Sequence, residues 1–180
     1  MGDDPAPEEL TALRAAFAGH DLGPPLGWHR VAEFESQCGV VLPEPYRSFV
    51  ATIGDGCTDG PPHYGLAALG QDVNEQVRFE PERLARPFPL AAQWIWENDP
   101  DPDEARYHAV WGDGLLWLGT EGCSMYWALV ISGEHRGHIW DVADVGAQPY
   151  GQPFGYTSAE PGFGGWVARW ATGADWYNAA

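Results

Sequence analysis

Three runs in the second half of the chain, "GLLWLGT" (114–120), "SMYWALVIS" (124–132) and "GHIWDV" (137–142), constrain the fold most. Each is rich in aromatic and β-branched residues and bounded by glycine, the composition of a strand. The connection "SGEHRG" is short enough for a hairpin, so these strands are expected as antiparallel neighbours. A sheet of that kind needs something to cover it. The 180 residues, 44% of them hydrophobic, can bury about 70% of the surface the unfolded chain exposes, enough for one core.

The cover is sought in helical stripes. Residues 1–7 are polar and proline-containing and are expected to be disordered; residues 8–178 are expected to form a single domain. Leu10, Leu13, Ala16 and Phe17 predict a first helix ending near Gly19. Trp28, Val31, Phe34 and Cys38 predict the buried face of a second, stopped by Gly39. In "LPEPYRSFVATIGDG" (42–56), Leu42, Tyr46, Phe49, Val50 and Ile53 recur on one helical face. Pro43 and Pro45 suit its first turn, although Pro45 disfavours helical geometry at Glu44 and delays the start. Gly54 and Gly56, flanking Asp55, suit a left-handed exit.

"PPHYGLAAL" predicts a loop entering a strand at about 64–69, and the stretch from 146 to 165 a glycine-rich loop. Between residues 70 and 110 prolines break the pattern, "AAQWIWEN" fits strand or helix, and "DPDPDEAR" reads as an acidic surface loop. Phe163, Trp166, Val167 and Trp170 predict a last helix. Helices, then clustered strands, then a helix predict an α+β fold: an antiparallel-rich sheet packed with N-terminal helices and a C-terminal helix.

Charge excludes several functions. The net charge is −17, and all nine basic residues are arginine. Without lysine there is no phosphate-loop lysine and no Schiff-base lysine. Nucleic-acid binding needs a basic patch that this chain lacks, so its charge favours a basic partner or simply serves solubility. No apolar run approaches the ~18 residues of a membrane span, and the acidic start is unlike a signal peptide. Cys38, Cys57 and Cys123 lack metal or disulfide spacing and read as small hydrophobes beside glycine. A cytoplasmic protein without cofactor is expected.

The order of "GVVLPEPYRSFVATIGDG", "HYGLAAL", "GLLWLGTEGCSMYWALVISGEHRGHIWDV" and "FGGWVARWATG" resembles the SUKH superfamily, in its Smi/Knr-type branch. The most specific part is Leu42-Pro43, Tyr46 and Phe49, and Gly54 or Gly56. Tyr64, Gly65 and Leu66 follow. The resemblance implies an α+β fold without catalytic machinery. Bacterial members of the superfamily resemble immunity proteins that bind and neutralise toxin domains, often nucleases, while fungal relatives act as scaffolds in cell-wall signalling. These residues are fold-makers, and no binding residue is carried over by motif.

Catalytic and metal roles are weak by spacing. His135 and His138 have an HxxH spacing, but in a tight hairpin they are expected to face solvent without a third ligand. Cys57 and His63 have two prolines between them and nothing to orient the imidazole. Catalytic and metal residues are therefore expected to be none. A carbohydrate-binding protein or hydrolase would need exposed indoles between acids, whereas Trp117, Trp127, Trp140, Trp166 and Trp170 read as core. Trp94 and Trp96 alternate around Ile95 and could form a contact platform. Beside them Asp99, Asp101, Asp103 and Glu104 form the densest acidic run. Together with Asp55, these are the expected partner-binding residues of a module that occludes the basic cleft of a toxin.

Overall fold

The computed structural model describes residues 5–151 and 162–176. Helix α1 (Pro7–Ala16) begins inside the segment expected to be disordered; residues 1–4 of that segment lie outside the described residues. Pro7 occupies the first helical position, where its missing N–H costs nothing, and Glu8 and Glu9 favour the positive end of the helix dipole. Helix α2 (Trp28–Cys38) ends at Gly39 in the left-handed conformation. Its buried stripe is Val31, Glu35 and Cys38, shifted from the expected one. Trp28 is 49% exposed, and Phe34 lies at the margin, stacked on Phe79.

Helix α3 (Tyr46–Thr52) starts after both prolines. Pro45 is its flanking residue, and the Glu44 carboxylate accepts the Ser48 N–H at 2.9 Å, meeting one donor that has no partner within the helix.

The sheet has five strands: β1 (Trp94–Ile95), β2 (Leu115–Gly122), β3 (Met125–Val130), β4 (Ile139–Ala143) and β5 (Gly146–Pro149). Their order is β1-β5-β4-β3-β2, and every pair is antiparallel. The three central strands match the aromatic runs. Strand β5 falls at the start of the expected glycine-rich loop, whose residues 152–161 lie outside the described residues. The expected strand at 64–69 does not form a ladder. Its backbone meets the rest of the protein at a Cys57–Leu66 bridge and by bonding to the Thr120 and Leu118 carbonyls of β2. Gly65, at φ +100°, breaks the extended course there.

Both sheet faces are buried, so the strands read as continuous apolar runs rather than alternating ones. Leu116, Leu118, Trp127, Leu129 and Ile139 point to one side, where α1, α2, α3 and α5 (Phe163–Ala171) cover them. Leu115, Trp117, Ala128, Val130, Trp140 and Val142 point to the other. That second face is covered by Val77, Phe88, Leu90 and Trp96 of the proline-broken segment and by helix α4 (Glu104–Val110), whereas the segment's short 3₁₀ turn (Pro81–Arg83) meets α2 and the following Leu84 joins the first core. Helices and an antiparallel sheet make an α+β fold.

Candidate functional site

The motif-bearing stretch is held by a buried carboxylate that spacing alone did not single out. Glu35, 7% exposed, takes both nitrogens of the Arg47 fork: Nε donates to Oε1 at 2.7 Å and Nη2 to Oε2 at 3.0 Å. Oε1 also accepts the Leu42 N–H at 2.9 Å. This bidentate pair ties α2 to α3, while the exposed Trp28 ring covers the Arg47 guanidinium at 5.2 Å. Leu42, Tyr46 and Phe49 lie in the core beside it. Burial raises the Tyr46 hydroxyl pKa far above its ordinary value, and the Asp55 carboxylate adds to the shift.

After α3 the chain turns through Gly54, Asp55 and Gly56. The left-handed residue is Gly56, and Gly54 is required for space: a Cβ there would lie 2.4 Å from Leu22 Cγ and 2.7 Å from the Gly23 carbonyl oxygen. Beside this turn lies a groove of about 510 Å³ between the α3 exit loop and the outer edge of β2. Asp21, Asp55 and Asp72 line it with Thr58, Tyr64 and Thr120, and no arginine or histidine is among its described lining residues.

Each of the three carboxylates accepts one hydrogen bond through a single oxygen: Asp21 from the Thr58 hydroxyl at 2.7 Å, Asp55 from Leu69 N–H at 2.7 Å, Asp72 from Phe79 N–H at 2.8 Å. Burial raises the Asp55 pKa, the Leu69 N–H opposing it in part. At the rim Tyr64 is 66% exposed. The groove therefore offers carboxylates, hydroxyls and one aromatic ring, suited to the cationic side chain of a partner.

Asp21 and Asp72 were not singled out by the sequence. Each lies within two residues of a glycine in a loop, as Asp55 does; only the tertiary fold brings the three loops together.

The other expected surface is arranged differently. Trp94, in β1, and Trp96, just beyond its end, pack ring against ring with centroids 5.2 Å apart, but Trp96 is 7% exposed and its indole N–H donates to the Asp144 carbonyl. Its ring is core and presents no contact surface. Trp94 is half-buried beneath the Arg106 guanidinium at 4.8 Å. The Asp103 carboxylate accepts the Arg106 N–H and caps α4, and Asp99 accepts the Asp101 N–H. Asp101, Asp103 and Glu104 are exposed. The acidic run is thus largely exposed, with Asp103 in a local capping role at α4.

The weak chemical candidates resolve by contact. Cys57 Sγ donates to Asp59 at 3.3 Å, and burial pushes its thiol up to about 11. His63 stacks edge-on against Tyr64. His135 and His138, expected in solvent, are half-buried and touch each other. Trp117, Trp127, Trp140 and Trp166 are buried and Trp170 is half-buried against Phe17. Among the described residues, no cluster of three or more potential ligands could hold a metal, and no helix is long and apolar enough to cross a membrane.

Comparison with curated proteins and with solved structures gives no match. The profile of the SMI1 / KNR4 family (SUKH-1) matches residues 29–172. That span runs from α2 to the end of α5, taking in the Glu35–Arg47 latch, the groove and the whole sheet. The chain belongs to the SMI1 / KNR4 family (SUKH-1).

Proposed function

We propose that this protein is a non-enzymatic binding module, an immunity protein that neutralises a basic toxin domain by covering its active cleft. The observation that carries this reading is the groove beside β2: three half-satisfied carboxylates, an exposed tyrosine, and no cation among the described lining residues. A cationic side chain entering it would complete charge-assisted hydrogen bonds that the protein does not make for itself. The net charge of −17 steers such a partner over a longer range, and the exposed Asp101, Asp103 and Glu104 add to that field. Asp55, common to the expected and the observed surfaces, sits at the centre of this proposal.

The test is co-expression with the product of the adjacent gene. Rescue from a toxic neighbour supports the reading; a harmless neighbour, with no rescue, overturns it. Within a confirmed complex, Asp55→Asn with Asp72→Asn should raise the dissociation rate, whereas D99A/D101A/D103A should lower the association rate at low salt only. Groove variants that bind like the wild type would move the interface elsewhere.

A further inference from the structure

The hairpin joining β3 to β4 carries a pair of imidazoles whose geometry the binding reading does not use. His138 N–H donates to the His135 carbonyl at 2.9 Å, closing a turn that sets the two rings side by side with centroids 5.1 Å apart. The turn is anchored from outside: Arg136 Nη2 donates to the Val41 carbonyl at 2.8 Å, and Phe88 N–H to the Ser132 carbonyl at 2.8 Å.

Hydrogen bonding assigns the tautomers. His135 Nε2 lies 2.9 Å from the Ala91 carbonyl oxygen. A carbonyl only accepts, so Nε2 carries the proton, and in the neutral ring Nδ1 is a bare lone pair. That lone pair faces His138 Nδ1 at 3.2 Å, so His138 carries its own proton on Nδ1 and donates it.

We propose that His135 and His138 form a two-point chelating site, through their Nδ1 atoms, for a divalent cation that favours imidazole, with Zn²⁺ as the representative. Two nitrogens 3.2 Å apart, each about 2.05 Å from the ion, subtend roughly 100° at the metal, near the tetrahedral angle. The His135 Nε2–H to Ala91 carbonyl bond is the outer contact that orients a ligating histidine and raises its basicity. Binding requires one proton relocation: His138 gives up its Nδ1 proton and takes one at Nε2, with no net release from the neutral pair. Water fills the remaining positions, which stay open to a ligand from a partner.

Titration of untagged protein with Zn²⁺ in a calorimeter should show one ion bound. His135→Ala or His138→Ala should weaken it on the order of 10²-fold, since the remaining imidazole loses the intramolecular advantage. His20→Ala and His63→Ala should leave it unchanged. Without any substitution, side-chain ¹⁵N shifts of the wild type should show the His138 proton moving from Nδ1 to Nε2 as Zn²⁺ is added. No stoichiometric binding, undiminished binding in the H135A/H138A double variant, or an unchanged His138 tautomer would each overturn the proposal.

Discussion

The two faces of the sheet are covered by different means. On one side α1, α2, α3 and α5 bring periodic stripes whose backbone hydrogen bonds are satisfied internally. On the other side a largely irregular segment must satisfy its polar groups by side chains. Asn74 Oδ1 accepts both the Gln76 and Val77 N–H groups at 2.9 Å, and its amide donates to the Tyr126 hydroxyl. Arg83 reaches Asp113, Glu80 and the His108 carbonyl, stapling the 3₁₀ turn to α4. The comparison teaches that a cover without regular structure can bury as deeply as a helical one, provided that particular side chains close its loops.

The largest effects should come from testing that equality directly. Trp127→Ala on the helical face and Trp140→Ala on the other, both fully buried, should each cost about 3–5 kcal/mol in chemical denaturation. A Trp140 loss well below the Trp127 loss would show the irregular cover to be dispensable.

Next come the polar ties. Glu35→Ala strands the part-buried Arg47 fork and the Leu42 N–H, at about 2–3 kcal/mol. Arg83→Ala, which unties the 3₁₀ turn from α4 and Asp113, should cost about 1–2 kcal/mol. Asn74→Ala should cost about 1 kcal/mol, and should speed hydrogen exchange at Gln76 and Val77 while leaving α2 and α3 protected.

The smallest effect separates stability from binding at the groove. Burial holds the Asp55 carboxyl above its ordinary 3.8, so the folded state holds that proton more tightly than the unfolded state. The stability this group contributes is fully present below pH 3.8 and is lost as pH rises through the folded value. Asp55→Asn keeps an acceptor for Leu69 and removes that loss. The difference in unfolding free energy between variant and wild type should therefore change just above pH 3.8 and flatten toward neutrality. A pH-independent difference would show that burial does not penalise the carboxylate.

The same contrast explains what could be read from the residues. The central strands and the helical stripes of α1, α3 and α5 follow from periodicity, because the core they face is continuous. The stripe of α2 was misplaced by one position because Glu35 behaves as core once Arg47 and Leu42 satisfy it. Between 70 and 110 the signal was weak because its structure lies in long-range partners such as Arg83–Asp113, thirty residues apart. Of the groove's three carboxylates only Asp55 was legible. Asp21 and Asp72 reach it from loops that are remote in sequence, and Trp96, beyond the end of the two-residue β1, is buried with its indole N–H on the Asp144 carbonyl.

The segment that failed to become a strand has a consequence for how copies of the chain can meet. By lending its amides to the Thr120 and Leu118 carbonyls, it occupies acceptors on the free side of β2, where another chain would otherwise add. The opposite margin, β1, is only two residues long. A sheet with one border covered and the other brief gives little purchase for edge-to-edge stacking.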